Sequence, residues 1–206
     1  NLLTQLYPDN AHFIYELLQN AEDTRANVVR FALNDSAVEF KHDGEKLFSL
    51  EDICSITSIG NSTKRDEPTS IGKFGVGFKA VFAYTNTPEI HSGDFHFCIH
   101  DLVVPEIERV PRPKMGDLET HFIFPFDNPK KPQSKAVDEI ERGLRALGNN
   151  TLLFLNYIRK IEYLLPDGSP GTLERIDIED GYIKIRASQP GSDETISHWL
   201  LFDKDV

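Results

Sequence analysis

The sequence predicts a two-layer α/β sandwich, in which a mixed, mostly antiparallel sheet carries helices on one face. Three observations predict it. Apolar residues recur with helical spacing directly after Pro8-Asp9-Asn10, a helix-start signal. Short alternating apolar runs, bounded by turn residues, follow along the chain. The last sixty or so residues are almost wholly strand-like. The 206 residues are 39 % apolar and include fourteen Phe, enough for a filled core. The charged fraction of 27 % argues against disorder along the whole length.

Phe13, Ile14, Leu17, Leu18 and Ala21 define the first helix. Residues 28–33 read as a strand, and Val38 with Phe40 as a second, joined by the turn residues Asn34-Asp35-Ser36. A loop follows at His42-Asp43-Gly44-Glu45, then a short helix over 50–56. Ser, Thr, Gly, Asn, Lys and Pro dominate 58–70, which predicts a mobile loop leading into a glycine-rich turn and a helix over 71–82. Phe95, Phe97 and Ile99 alternate as a strand, as do Phe122, Phe124 and Phe126; the Pro-rich stretch 103–113 between them reads as irregular. Ser134 is placed to cap a helix with the face Val137, Ile140, Leu144 and Leu147. Residues 152–155, 158–165, 173–178, 182–185 and 196–202 all read as strands. The expected division is a first domain over 1–156 and, over 157–206, either a β-rich extension of its sheet or the start of an appended module.

The net charge of −11, from 22 basic and 33 acidic residues, argues against direct nucleic-acid or anionic-membrane binding. No apolar stretch reaches the roughly 18 residues of a membrane span, and the first residues are not a signal-peptide start. Cys54 and Cys98 both lie in apolar segments and read as small buried hydrophobes, and the seven His are scattered without a ligand motif. That usage suits a reducing, cytoplasmic setting. The chain starts without Met and ends on a strand-like run, which points to a piece of something longer.

Four constellations carry candidate chemistry. Glu16, Asn20 and Asp23, four and three residues apart, share a helical face beside the apolar stripe. A carboxylate there can polarise water, and an Asn amide oxygen can ligate Mg²⁺, which prefers hard oxygen donors. An ordinary amphipathic helix has the same pattern. Gly72, Gly75 and Gly77 open an apolar run, where unhindered amides can approach a phosphate. The run has neither the Gly-Lys-Ser/Thr of a P-loop nor a leading strand, so a plain glycine turn is the alternative. His42-Asp43-Gly44 offers a carboxylate for an adenine amino group, with Gly44 allowing backbone to approach the ring; Asp-Gly is equally a hairpin signal. Thr120, at a strand start, can donate its hydroxyl to a ligand or simply end the ladder.

In their order and spacing the four resemble the GHKL superfamily of gyrase B subunits, heat-shock chaperones, histidine kinases and MutL. Glu16-Leu17-Leu18-Gln19-Asn20-Ala21-Glu22-Asp23 looks like its N box. Ile71-Gly72-Lys73-Phe74-Gly75-Val76-Gly77-Phe78 is similar almost letter for letter to the chaperone glycine box. The stretch from Ser58 to Lys64 looks like the start of an ATP lid. The likeness covers about residues 7–126, and the runs 152–161 and 199–202 resemble the sacsin-like branch.

The resemblance implies a Bergerat fold that binds ATP or ADP with Mg²⁺ and hydrolyses ATP slowly, lid closure serving a larger chaperone-like protein. Glu16 would be the general base and Asn20 the Mg²⁺ ligand, and Asp23 would support that face or reach the nucleotide through water. Asp43 and Gly44 would meet adenine. Gly72, Gly75 and Gly77 would line the phosphates, Lys73, Phe74, Val76, Phe78 and Thr120 would complete the nucleotide site, and Lys64 or Lys73 would neutralise phosphate charge. The usual Asp-x-Gly-x-Gly is incomplete here, since His42-Asp43-Gly44-Glu45-Lys46 lacks the second glycine. His42 is therefore the alternative adenine contact. The implied partners are a nucleotide, further domains of a longer chain and a second copy in an ATP-dependent homodimer. The rival readings are a nucleotide-binding module without hydrolysis and the ATPase of a DNA-processing protein of MutL or gyrase kind. A histidine kinase would need a phospho-accepting His on an upstream helix, which this sequence does not supply.

Overall fold

Helix α1 (His12–Asp23) buries Phe13, Ile14, Leu17, Leu18 and Ala21 on one side, as their spacing requires. Its end is built in detail. The Arg25 amide donates to Glu22 O at 2.9 Å and the Ala26 amide to Ala21 O at 3.0 Å, with Arg25 at φ 59. These are the paired bonds of a Schellman stop, with Arg in the left-handed position that glycine usually takes. The Thr24 hydroxyl satisfies Ala21 O as well, at 2.8 Å. This computed structural model describes residues 12–57, 78–106, 119–179 and 181–201.

Strands β1 (Val28–Leu33) and β2 (Ala37–His42) form a hairpin whose turn is held by Asn34 Oδ1, which accepts the amides of Ser36 and Ala37 at 2.9 Å. Helix α2 (Leu50–Thr57) starts with a reciprocal cap: Ser49 N donates to Asp52 Oδ2 at 2.8 Å and Asp52 N to Ser49 Oγ at 3.3 Å. A 3₁₀ helix (Phe78–Ala83) leads to β3 (Glu89–Ser92), β4 (Phe95–His100) and β5 (Val104–Glu106), followed by β6 (Thr120–Pro125). After α3 (Gln133–Arg145) and α4 (Asn149–Leu153) come β7 (Lys160–Leu164), β8 (Pro170–Asp177), β9 (Tyr182–Ser188) and β10 (Thr195–Leu200).

All ten strands join one sheet in the order β10-β9-β8-β7-β1-β2-β6-β3-β4-β5. Among the described residues only β1 and β7 run parallel; the other pairs are antiparallel, so the sheet is mixed and mostly antiparallel. Strands β7–β10 continue the sheet of the first half. Strand alternation sends Phe31, Phe40, Phe122 and Phe124 to the inner face, where α1 packs through Phe13 against Tyr84 and Phe124 at centroid distances of 5.1 and 6.3 Å. Phe78 meets Phe122 and Phe124, both at 6.1 Å. Such tilted pairs contribute about 0.5–1.5 kcal/mol each beyond the area they bury.

Several expectations are corrected. Residues 152–153 lie in α4, not a strand: a four-residue apolar run does not separate helix from strand by periodicity. Ser134 does not cap α3; Pro132 precedes the helix with φ −55, and no side chain bonds the cap. The segment after Gly77 is 3₁₀ where it is described, closed by Tyr84 N to Val81 O at 2.9 Å. Within the stretch read as irregular lies β5, and β3 was not foreseen. Cys54 is exposed on α2, while Cys98 is buried. Among the described residues no helix is long and apolar enough to cross a membrane.

Candidate functional site

The site builds up from one row of α1. Glu16 and Asn20 are half-buried and one turn apart, and the row continues to Thr24. Thr24 Oγ1 lies 3.5 Å from Nδ1 of His42, the last residue of β2. The carboxylate and amide of α1 are thereby aligned with the end of the central hairpin. Asp23 is exposed beside them; partial desolvation and then the neighbouring Glu22 carboxylate hold its carboxyl above the usual Asp value.

Alternation from Val38 and Phe40 carries His42 to the inner face, where it is 3 % exposed. Its ring lies over Phe122 at 6.2 Å with a 28° tilt, and 5.8 Å from Phe40. Burial outweighs the nearby Asp43 charge and pulls the imidazole down to a pKa of about 4, so it is neutral at physiological pH. The Gly44 amide donates to Nδ1 at 3.2 Å. The ring proton therefore sits on Nε2, and His42 offers a donor from an apolar floor.

Asp43 lies one residue past the strand end and is exposed. Its Oδ1 accepts the amides of Asn27 and Val28, both at 2.8 Å, pinning the start of β1. Of the two alternatives for the adenine contact, the buried group is His42. Gly44 is also explained locally: a Cβ there would fall 1.9 Å from Thr24 Oγ1 and 2.9 Å from His42 Nδ1. The close approach that needs glycine is to Thr24 and the imidazole.

Thr120 is fully buried, and its hydroxyl lies 2.7 Å from Ser92 Oγ, which accepts the Phe48 amide at 3.0 Å. This chain fastens the loop after β2 to β3 and β6. The Phe78 side chain is 1 % exposed in the aromatic core, so only its main chain could face a phosphate. Lys64, Gly72, Lys73, Phe74, Gly75, Val76 and Gly77 lie outside the described residues, as does the 58–70 loop.

One residue of the N-box-like run has a role that the sequence did not reveal. Glu22 accepts the successive amides of Asn156, Tyr157 and Ile158, the last two at 2.8 and 3.0 Å. It locks the end of α1 to the segment entering β7. A described cleft of about 340 Å³, lined by Arg30, Glu39, Lys41 and Glu162, lies on the opposite face of the sheet and is separate from this site.

Residues 41–122 match the Sacsin domain family. The protein NO VEIN of Arabidopsis thaliana is 39 % identical over 101 residues, which is 47 % of this chain and 4 % of NO VEIN. Human sacsin is 34 % identical over 104 residues, 43 % of this chain and 2 % of sacsin. The matched stretches thus span a small fraction of these relatives' length. Among solved structures, the N-terminal domain of a DNA repair protein aligns at a TM-score of 0.50 and 11 % identity over 88 % of this chain and 61 % of that one, a likeness of fold alone. The B subunit of DNA gyrase from Myxococcus xanthus aligns at a TM-score of 0.49, with 10 % identity over 85 % of this chain and 60 % of that one.

Proposed function

We propose, from the premise that this chain is a sacsin-like domain with the GHKL fold, that it binds ATP with Mg²⁺ between α1 and the end of β2 and hydrolyses it slowly. The observation that carries the reading is the row Glu16-Asn20-Thr24 leading to the buried His42. Glu16 and Asn20 present oxygen donors at the edge of the core, the donor type that fits Mg²⁺.

Asn20 would hold Mg²⁺ through its amide oxygen, and the ion would supply charge neutralisation at the phosphates. Glu16 orients a water and takes its proton as the water oxygen bonds to the γ-phosphorus and the bond to the β-phosphate oxygen breaks, giving ADP and phosphate. His42 fixes the base from the apolar floor, donating from Nε2 to a ring nitrogen. Thr120 holds that floor through Ser92. Asp23 would support the α1 face or reach the nucleotide through water. By resemblance, Gly72, Gly75 and Gly77 take the phosphates, with Lys64 or Lys73 neutralising them as the 58–70 segment closes. The domain would drive a conformational cycle in a longer, chaperone-like chain.

Glu16→Ala tests the hydrolytic part. Binding of ATP should persist while turnover falls by about 10²–10⁴-fold, the usual contribution of a general base. Turnover at the parental rate would make Glu16 structural. No measurable turnover in the parent, with binding retained, would leave a nucleotide-binding module without hydrolysis.

A further inference from the structure

The sheet face opposite α1 gathers histidines that are scattered in sequence. In β4, His96, Cys98 and His100 alternate with the core residues Phe97 and Ile99, so all three point to that outer face. Across the strands, Lys41, His121, His91 and His96 stand in one register row. At the edge, β5 places Glu106 directly opposite Cys98.

We propose that Cys98, His100 and Glu106 form a binding site for a borderline divalent cation of the Zn²⁺ class. Sγ of Cys98 lies 3.2 Å from His100 Nε2, which lies 3.0 Å from Glu106 Oε2, and the three ligand atoms fall within 4.8 Å of one another. Zinc bonds to sulfur, nitrogen and oxygen are about 2.0–2.3 Å, so tetrahedral ligands sit about 3.3–3.6 Å apart. The two pairs that include His100 are already within tenths of an ångström of that spacing, and Cys98 Sγ and the Glu106 carboxylate need to close by at most about 1.3 Å to take up the ion. A thiolate, an imidazole and one carboxylate are the donors zinc prefers, and magnesium does not favour the sulfur.

The surroundings suit a site with one open position. Cys98 is 7 % exposed, while the His100 and Glu106 side chains are 40 % and 33 % exposed, so an ion can enter from solvent and keep a water. The turn joining β4 to β5 brings Glu106 back beside Cys98. Asp101 and Leu102 both take positive φ, 49° and 70°, closed by Val103 N to His100 O at 3.0 Å. Binding displaces the thiol proton to solvent, so affinity rises with pH.

The test is cobalt and zinc titration of the full chain. One equivalent of Co²⁺ should give a thiolate-to-cobalt charge-transfer band, and Zn²⁺ should displace it stoichiometrically. Cys98→Ser should abolish the band and Cys54→Ser should keep it, with circular dichroism checking the fold. Should Cys98→Ser fail to fold, His100→Ala, at a half-exposed position, should still weaken Zn²⁺ at least about tenfold in chelator competition. A parent chain that shows no thiolate band, a band carried by Cys54, or unchanged affinity in His100→Ala overturns the site. In the last two outcomes, and in the first, the three side chains are an ordinary ion pair beside a buried thiol.

Discussion

The Gly44 amide reaches Nδ1 of His42 at 3.2 Å, and that bond sets which edge the buried imidazole presents. Burial of the same ring ties its protonation to folding. The folded pKa is about 4 against an ordinary 6.5, chiefly through burial. Between those values the unfolded chain binds a proton that the folded chain does not, so stability is complete above about pH 6.5 and declines as pH falls towards 4. At about 1.4 kcal/mol per unit, His42 alone should remove about 2 kcal/mol between pH 7 and pH 5. Denaturant midpoints for the parent and for His42→Phe check this. The variant should be less sensitive to pH by that amount; equal slopes would place the proton elsewhere.

Gly44→Ala should be destabilising by about 1–3 kcal/mol, the range for overpacking a tight contact. Its Cβ would meet Thr24 Oγ1 at 1.9 Å and Thr24 Cβ at 2.7 Å. Combining it with Thr24→Gly should recover part of the loss, because the two nearest clashing atoms are then gone and only His42 Nδ1, at 2.9 Å, remains close. Thermal or denaturant unfolding of the four species reads the coupling, and strict additivity would disprove the contact.

Glu22→Gln should leave α1 formed yet loosen its tie to the segment entering β7. The carboxylate accepts Tyr157 N at 2.8 Å and Ile158 N at 3.0 Å, and a neutral amide accepts such bonds more weakly. A loss of about 1–3 kcal/mol is expected. Amide exchange at Tyr157 and Ile158 should quicken ahead of the β1 amides. Unchanged exchange at both positions would show that the bonds contribute nothing.

Local pattern was legible and long-range register was not. The apolar spacing of α1 and the alternating Phe residues of β6 were read directly, because each element writes its own period. The same alternation, carried two residues beyond Phe40, puts His42 inside and leaves Asp43 past the strand end, so that ambiguity was resolvable in principle. Strand β5 hid behind Pro105, which an edge strand tolerates. Glu22 and Tyr157 are 135 positions apart, and nothing local to either announces the pairing. His-x-Cys-x-His in β4 did carry a signal: on a strand, that spacing places three ligating side chains on one face. Glu106 joins them only through the hairpin.

The proposed nucleotide site on α1 depends on Mg²⁺. Titration calorimetry of the chain with ATP, in Mg²⁺ and in EDTA, tests it most directly, with Asn20→Ala alongside. ATP should bind more tightly with Mg²⁺, and Asn20→Ala should erase that difference while keeping the Mg²⁺-free affinity. Failure to bind ATP at all, or equal affinity with and without Mg²⁺, would contradict the account.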